Sequence, residues 1–79
     1  MSILERIEQI LREVLGDPAL RVNSGTRRED VAGWDSFAHV QVILAIEEAF
    51  QAHFRTEEVT SFETVGDFVA AVQKPGGSA

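Results

Sequence analysis

The sequence predicts an all-α fold, a small bundle of three main helices plus one short helix. Apolar residues recur at three- and four-residue steps in separate segments, which is the period of one helix face, and no segment alternates with the period of a strand. The 79 residues set a limit of one domain. The chain has no cysteine and is 44% hydrophobic, so packing must supply its stability.

The first helix is predicted over roughly residues 3–15. Ser2 and Glu5 form a capping box, in which each side chain bonds the backbone N–H of the other residue. Gly16 ends the helix and Pro18 follows, as is typical beyond a helix C-terminus. The apolar stripe of this helix consists of Leu4, Ile7, Leu11, Val14 and Leu15. The stripe indicates an amphipathic helix with one face in the core.

Residues 16–34 have no sustained period and are predicted to form a loop attached to the core by Leu20, Val22 and Val31. Loops longer than about 12–15 residues are uncommon in compact domains and often functional. A second helix follows over roughly residues 36–51 and is apolar on more than one face. We assign Val42, Ile43, Ile46 and Phe50 to its buried side, Phe37, Val40 and Leu44 to the side of Ser36, and Gln41, Ala45 and Glu48 to an exposed strip.

The C-terminal third of the chain is predicted to hold a short helix and a longer one. The short helix lies at Thr56-Glu57-Glu58-Val59, with Thr56 as its cap. The last helix spans about residues 65–73, after Thr64 and Asp67, which resemble a capping box. The domain is expected to cover residues 1–74, and residues 75–79 are expected to form a flexible tail.

The chain is acidic, with a formal net charge of −6. Nucleic-acid binding depends on Lys and Arg that neutralise phosphates, so this charge disfavours a nucleic-acid partner and favours basic protein partners. No apolar run approaches the ~20 residues of a membrane span, and no signal peptide is visible. We expect a monomeric, cytoplasmic protein without membrane insertion.

The polar pair Asp35-Ser36 opens the second helix, where either residue is a good N-cap. A helix N-terminus also favours an anion, such as a phosphate ester on Ser36. A hydrolase built on Ser36 and His39 is disfavoured, because no group orients the base and no Gly-x-Ser-x-Gly elbow is present. We expect His39 to be a surface residue beside the serine. His39 and His53 have no metal-ligand spacing, so we expect neither a metal site nor catalytic residues.

The chain resembles an acyl carrier protein over about residues 2–73. The resemblance rests on the triplet Asp35-Ser36-Phe37 after a long loop, on the run Ala45-Ile46-Glu47-Glu48-Ala49-Phe50, and on Thr64-Val65. Further matching positions are Gly33, Val40, Ile43, Leu44, Glu57, Glu58, Phe62 and Val69. The triplet alone is a weak signal, but the whole set is a strong one. The resemblance implies an acyl-carrier-protein-like bundle, with residues 1–74 as the carrier domain.

The resemblance further implies that Ser36, flanked by Asp35, carries a covalent 4′-phosphopantetheine arm. A phosphopantetheinyl transferase would take the arm from coenzyme A, using a divalent cation. The thiol of the arm would hold acyl groups as thioesters, and the protein would present them to acyl-loading and acyl-accepting enzymes of fatty acid, polyketide or related biosynthesis without catalysis of its own. The implied partner-binding residues are Phe37, Val40, Gln41 and Leu44, together with Glu47 and Glu48 for basic groups of the partners.

Four residues depart from the commonest pattern of this family: Trp34, Phe37, Ala38 and Gln41. Ala38 and Gln41 are neutral where carriers of fatty acid synthesis often have acids. The departures favour a specialised, discrete carrier over the general fatty acid carrier. Two alternatives stay open, a peptidyl or aminoacyl carrier and a helical interaction module that is not modified.

Overall fold

The computed structural model describes residues 2–73 and confirms the all-α prediction. The helices are α1 (Ile3–Leu15), α2 (Ser36–Phe50), α3 (Thr56–Ser61) and α4 (Val65–Gln73), with a 3₁₀ turn at Arg28–Asp30 inside the long loop. Within the described part of the chain, strand-like pairing is limited to an isolated bridge between Arg27 and Thr64. The tail predicted at residues 75–79 lies outside the described residues.

The helix α1 begins and ends as the sequence predicted. The N–H of Ser2 donates to Glu5 Oε1 at 2.9 Å, and the N–H of Glu5 donates to Ser2 Oγ at 3.1 Å, which completes the capping box. Gly16 follows the helix in the left-handed conformation, with φ +69°, and its N–H bonds the carbonyl of Arg12. The stripe that faces the core contains Ile7, Ile10 and Leu11.

The start of α3 and the end of α2 differ from the prediction. Thr56 is the first helical residue of α3 and not its cap. The cap position belongs to Arg55, whose backbone N–H donates to the Glu58 carboxylate at 3.0 Å, half of a capping box without the usual serine or threonine. The helix α2 ends one residue early, because Gln51 adopts a left-handed φ of 53°.

Hydrogen bonds hold the long loop against both α1 and α4. Near its start, the Glu8 carboxylate accepts the N–H of Val22 at 2.8 Å. Further along, the N–H of Gly66 donates to the carbonyl of Ser24 at 2.8 Å. A Cβ at position 66 would lie 2.8 Å from that same oxygen, so this close approach requires glycine. The loop therefore reaches α2 in a defined position.

The core lies between α1, α2 and α4. Its fully buried side chains include Ile7, Leu11, Val42, Ile46, Val65 and Phe68. The Phe62 ring packs between Phe54 and Phe68, with centroid separations of 5.3 and 4.5 Å. Phe50, which the sequence assigned to the buried side, is only partly buried and lies under the guanidinium of Arg6, 4.6 Å from its ring.

Candidate functional site

Asp35 caps α2, and Ser36 is the first residue of that helix. Asp35 Oδ1 accepts the N–H of Ala38 at 2.8 Å, and the backbone of Asp35 is extended, with φ −94° and ψ −172°. Ala38 cannot return a side-chain hydrogen bond, so the start of α2 has half of a capping box. The cap is complete without Ser36, whose side chain is exposed.

An open cleft of about 540 Å³ lies beside Ser36. It is lined by Arg27, Arg28, Glu29, Trp34, Asp35, Ser36, Thr60 and Glu63. The Arg27 guanidinium bonds Glu29 at 2.6 Å and lies 3.5 Å from Glu63. The hydrogen bond that Arg27 donates to the Glu29 carboxylate raises the pKa of Arg27 above its ordinary value. The cleft is therefore polar, of mixed charge, and open to solvent at the serine.

His39 is buried, so the prediction that it lies on the surface is wrong. Only 6% of His39 is exposed, because its position on α2 turns the ring towards α3 and α4. The indole N–H of Trp34 donates to His39 Nδ1 at 3.2 Å, and His39 Nε2 lies 3.2 Å from the carbonyl oxygen of Val59. Since Nδ1 accepts, the proton of the neutral ring is on Nε2, which donates to Val59. Burial lowers the pKa of His39 below its ordinary value of 6.5.

Trp34 is a buried part of the site that the sequence indicated only as a departure from the family pattern. Its ring stacks on Phe68, with a centroid separation of 6.0 Å and an interplanar angle of 19°. Trp34 lies in the loop and His39 in the helix, so their five-residue spacing matches no helix face. The sequence feature that could have indicated this contact is a tryptophan, an N–H donor, just before a helix that carries a histidine, a possible acceptor.

Three large apolar side chains of α2, which we call the α2 flank, are exposed as predicted. The exposed fractions are 72% for Phe37, 54% for Val40 and 58% for Leu44. Steps of three and four residues place them on one helix face. Gln41 and Glu48 are exposed as well. Clustered exposed apolar groups are typical of surfaces that contact other molecules.

Glu47, which the resemblance implies as a partner-binding residue, makes contacts within the protein. Its carboxylate accepts the N–H of Phe54 at 2.8 Å and lies 3.7 Å from the ring of His53. Only 18% of the Glu47 side chain is exposed. The hydrogen bond fixes the connection between α2 and α3, so Glu48 is the acid that α2 offers to solvent near its end.

The Ser36 hydroxyl has no base from His39, since both ring nitrogens bond Trp34 and Val59. A serine nucleophile needs such a base, together with a group that orients it. The arrangement does not form a triad, but an exposed hydroxyl of this kind can receive a group from a separate enzyme. Across residues 2–73, no group of three or more acidic or histidine side chains could hold a metal ion.

Known sequences similar to this chain are carriers. The family described as "Phosphopantetheine attachment site" matches residues 5–72. An acyl carrier protein of Streptococcus pyogenes is 38% identical over 74 residues, which are 94% of this chain and 96% of the relative. An acyl carrier protein of Solidesulfovibrio magneticus is 30% identical over 77 residues, which are 98% of this chain and 99% of the relative.

A solved structure has the same fold. The solution NMR structure of a holo acyl carrier protein from Geobacter metallireducens matches with a TM-score of 0.83 at 28% identity, covering 91% of this chain and 83% of that one. The chain belongs to the phosphopantetheine attachment-site family, and within that family it is an acyl carrier protein. The resemblance seen in the sequence is confirmed. None of the helices in the described residues is long and apolar enough to cross a membrane.

Proposed function

We propose that Ser36 carries a 4′-phosphopantetheine arm and that the protein presents acyl groups to biosynthetic enzymes without catalysing their reactions. The observation that carries this proposal is the position of Ser36, which is exposed at the first residue of α2 and not used in its cap. The open cleft beside it leaves room for a substituent on the hydroxyl. The family match over residues 5–72 includes this serine.

The start of α2 suits a phosphodiester. The first backbone N–H groups of a helix have no partner within it and favour an anion. Asp35 Oδ1 uses the N–H of Ala38, which leaves the N–H groups of Ser36 and Phe37 for the phosphate oxygens. When bound, the arm supplies the thiol on which acyl groups are held as thioesters. Asp35 adds a negative charge nearby, which suits a transferase that brings a divalent cation.

The proposed transfer requires a separate enzyme. The Ser36 oxygen forms a bond to the phosphorus that bears pantetheine in coenzyme A, the pyrophosphate bond breaks, and the nucleotide leaves. The hydroxyl proton passes to a base of the phosphopantetheinyl transferase, because both nitrogens of His39 are engaged inside the carrier. The divalent cation of the transferase neutralises the pyrophosphate.

The α2 flank is the proposed contact surface for the transferase and for the acyl-loading and acyl-accepting enzymes. It lies next to Ser36 and is the largest exposed apolar feature of α2. Gln41 and Glu48 border it, and the net charge of −6 favours basic partners. The neutral Gln41 favours a specialised pathway over general fatty acid synthesis. We propose that the carrier works as a cytoplasmic monomer.

Intact-mass analysis tests the attachment site. The apo protein is incubated with coenzyme A, Mg²⁺ and a phosphopantetheinyl transferase of broad specificity. Wild type is expected to gain one arm and Ser36→Ala none. Ser61→Ala is the matched control, because Ser61 is an exposed serine whose hydroxyl bonds only the local carbonyl of Glu58, at 2.9 Å; it should gain one arm. A gain of the arm by Ser36→Ala would show that Ser36 is not the attachment site.

Two further outcomes separate the alternatives. If wild type gains no arm from any transferase, the chain is an unmodified interaction module and the proposed function fails. If the holo protein is loaded by an adenylating enzyme with an amino acid and not with a carboxylic acid that lacks an amino group, it is an aminoacyl carrier. The acyl carrier relatives favour loading with a carboxylic acid.

A further inference from the structure

Trp34, His39 and Val59 form a hydrogen-bonded chain across three segments of the protein. Trp34 belongs to the end of the long loop, His39 to α2 and Val59 to α3. The two links are each 3.2 Å long, from the indole N–H to Nδ1 and from Nε2 to the Val59 carbonyl. A single residue, Asp35, separates Trp34 from Ser36.

Aromatic packing from the core supports this hydrogen-bonded chain. The Phe68 ring of α4 is fully buried, and its centroid lies 6.0 Å from that of Trp34 and 5.9 Å from that of His39. The Trp34 and His39 rings are 6.2 Å apart. The indole is thus fixed by stacking on one side and by a directional hydrogen bond at its edge.

We propose that His39 is a positioning residue for Ser36, a role that rests on the proposed attachment of the arm there. The ring holds Trp34, and Trp34 sets the direction in which the chain enters α2 through Asp35 to Ser36. The same ring bonds Val59, whose neighbour Thr60 lines the cleft beside the serine. His39 therefore fixes both the serine and a second segment of the cleft lining, and it touches no reacting atom.

The hydrogen-bonded chain exists only while His39 is neutral. A protonated ring has N–H groups on both nitrogens, so Nδ1 would face the indole N–H donor to donor. Burial lowers the pKa of His39, the Val59 carbonyl opposes this shift, and the positive charge of Arg28 in the 3₁₀ turn adds to it. From α4 the ring faces the uncharged Phe68.

The sign of the pH dependence follows from this shift. The unfolded chain, with a histidine pKa near 6.5, binds the proton more readily than the folded chain. The stability that neutral His39 contributes is therefore complete above pH 6.5 and decreases as the pH falls towards the folded-state pKa. Acid should loosen the entry to α2 before it affects α1.

The test compares four variants as acceptors of the arm. His39→Phe keeps a buried ring and removes both hydrogen bonds. Trp34→Phe removes the indole donor together with part of the buried ring, and His39→Gln offers an amide that both donates and accepts. His53→Gln is the control, since that side chain is 82% exposed. We expect kcat/KM for arm transfer to fall about five- to ten-fold in the two Phe variants, which matches the loss of one or two hydrogen bonds. His39→Gln should retain most of the wild-type kcat/KM, and His53→Gln should match wild type.

The pH profile separates positioning from bulk stability. The ratio of wild-type to His39→Phe transfer rates cancels the pH dependence of the transferase itself. This ratio should approach one as His39 becomes protonated in acid. Trp34 is the single tryptophan, so its fluorescence reports the same event. Acidification should change the fluorescence of wild type and His53→Gln, and this transition should be absent in His39→Phe.

Amide hydrogen exchange measures the order at the start of α2 without any transferase. The amides at positions 38 and 39, which donate to Asp35 Oδ1 and to the Asp35 carbonyl, should exchange faster in His39→Phe than in wild type, while those of α1 stay unchanged. Unchanged exchange and unchanged kcat/KM would overturn the inference. If His39→Phe does not fold, amide exchange and kcat/KM of Trp34→Phe test the inference instead. If wild type never accepts the arm but exchange at positions 38 and 39 responds as expected, the proposed function fails and the ordering role of His39 stands.

Discussion

The helices α1 and α2 both pack into the core, but their outward faces differ. α1 has 13 residues and buries a single stripe, and its outer face carries exposed polar side chains such as Glu5, Gln9 and Glu13. α2 has 15 residues, buries Val42, Ile43 and Ile46, and also exposes the α2 flank. Burial of apolar area stabilises a fold, whereas an exposed apolar side chain adds nothing to the core. The hydrophobic content of α2 therefore serves stability on one face and contact on the other.

The largest expected effect is a difference in the free energy of unfolding between a leucine substitution in α1 and one in the α2 flank. Leu11 is fully buried, so Leu11→Ala should lower the free energy of unfolding by about 2–5 kcal/mol. Leu44 is 58% exposed, so Leu44→Ala should change it by no more than about 0.5 kcal/mol. Urea unfolding measures both. Leu44→Ala should instead raise the KM of the transferase for the apo protein. A similar loss of stability in both variants would contradict the division between the two faces.

The two helices also begin differently, and substitutions at their N-termini should change the free energy of unfolding by a smaller amount. Ser2 is the cap of α1, but the serine at the start of α2 is not a cap, because Asp35 accepts the N–H of Ala38. Ser2→Ala and Asp35→Ala should each lower the free energy of unfolding by about 0.5–2 kcal/mol. Ser36→Ala should stay within about 0.5 kcal/mol of wild type. Asp35→Asn keeps an accepting oxygen and serves as the control for charge. A cap-sized loss in Ser36→Ala would assign the serine a structural role.

Local patterns in the sequence predicted most of the fold. The capping box at Ser2 and Glu5 and the glycine at position 16 define α1 through contacts within a few residues, so the sequence shows them directly. Helical spacing places the three residues of the α2 flank on one side of α2, apart from Val42 and Ile46. The start of α3 was misjudged by one residue, because a glutamate side chain can bond the backbone N–H of an arginine as well as that of a threonine.

The parts of the site that the sequence did not show depend on distant segments. His39 is buried because α3 and α4 cover that side of α2, and its partner Val59 is 20 residues away. Glu47 bonds the N–H of Phe54, beyond the end of its own helix. The cleft needs Arg27 of the loop to meet Glu63, which is 36 residues further on. No local periodicity encodes these contacts.

The smallest expected effect concerns charge beside the α2 flank. Ala38 and Gln41 are both neutral, but only Gln41 is exposed; Ala38 is 7% exposed and packs in the core, where a carboxylate would be desolvated. A charge added to α2 for partner recognition therefore belongs at position 41. Gln9 on α1 is also exposed and provides a matched site on the opposite kind of helix face.

Gln41→Glu should improve recognition by a ketosynthase of general fatty acid synthesis, if the neutral residue beside the α2 flank excludes such enzymes. Charge pairs at the rim of an interface contribute only about 0.2–1 kcal/mol, so the gain should be a few-fold at low salt and should shrink at high salt. Gln9→Glu adds the same net charge away from Ser36 and should have little effect, which separates local pairing from general attraction. Crosslinking rates of the holo proteins at two ionic strengths provide the measurement. Equal rates for wild type and Gln41→Glu at low salt would mean that charge at this position does not select the pathway, and that the bulky Phe37 beside the serine is the residue to exchange next.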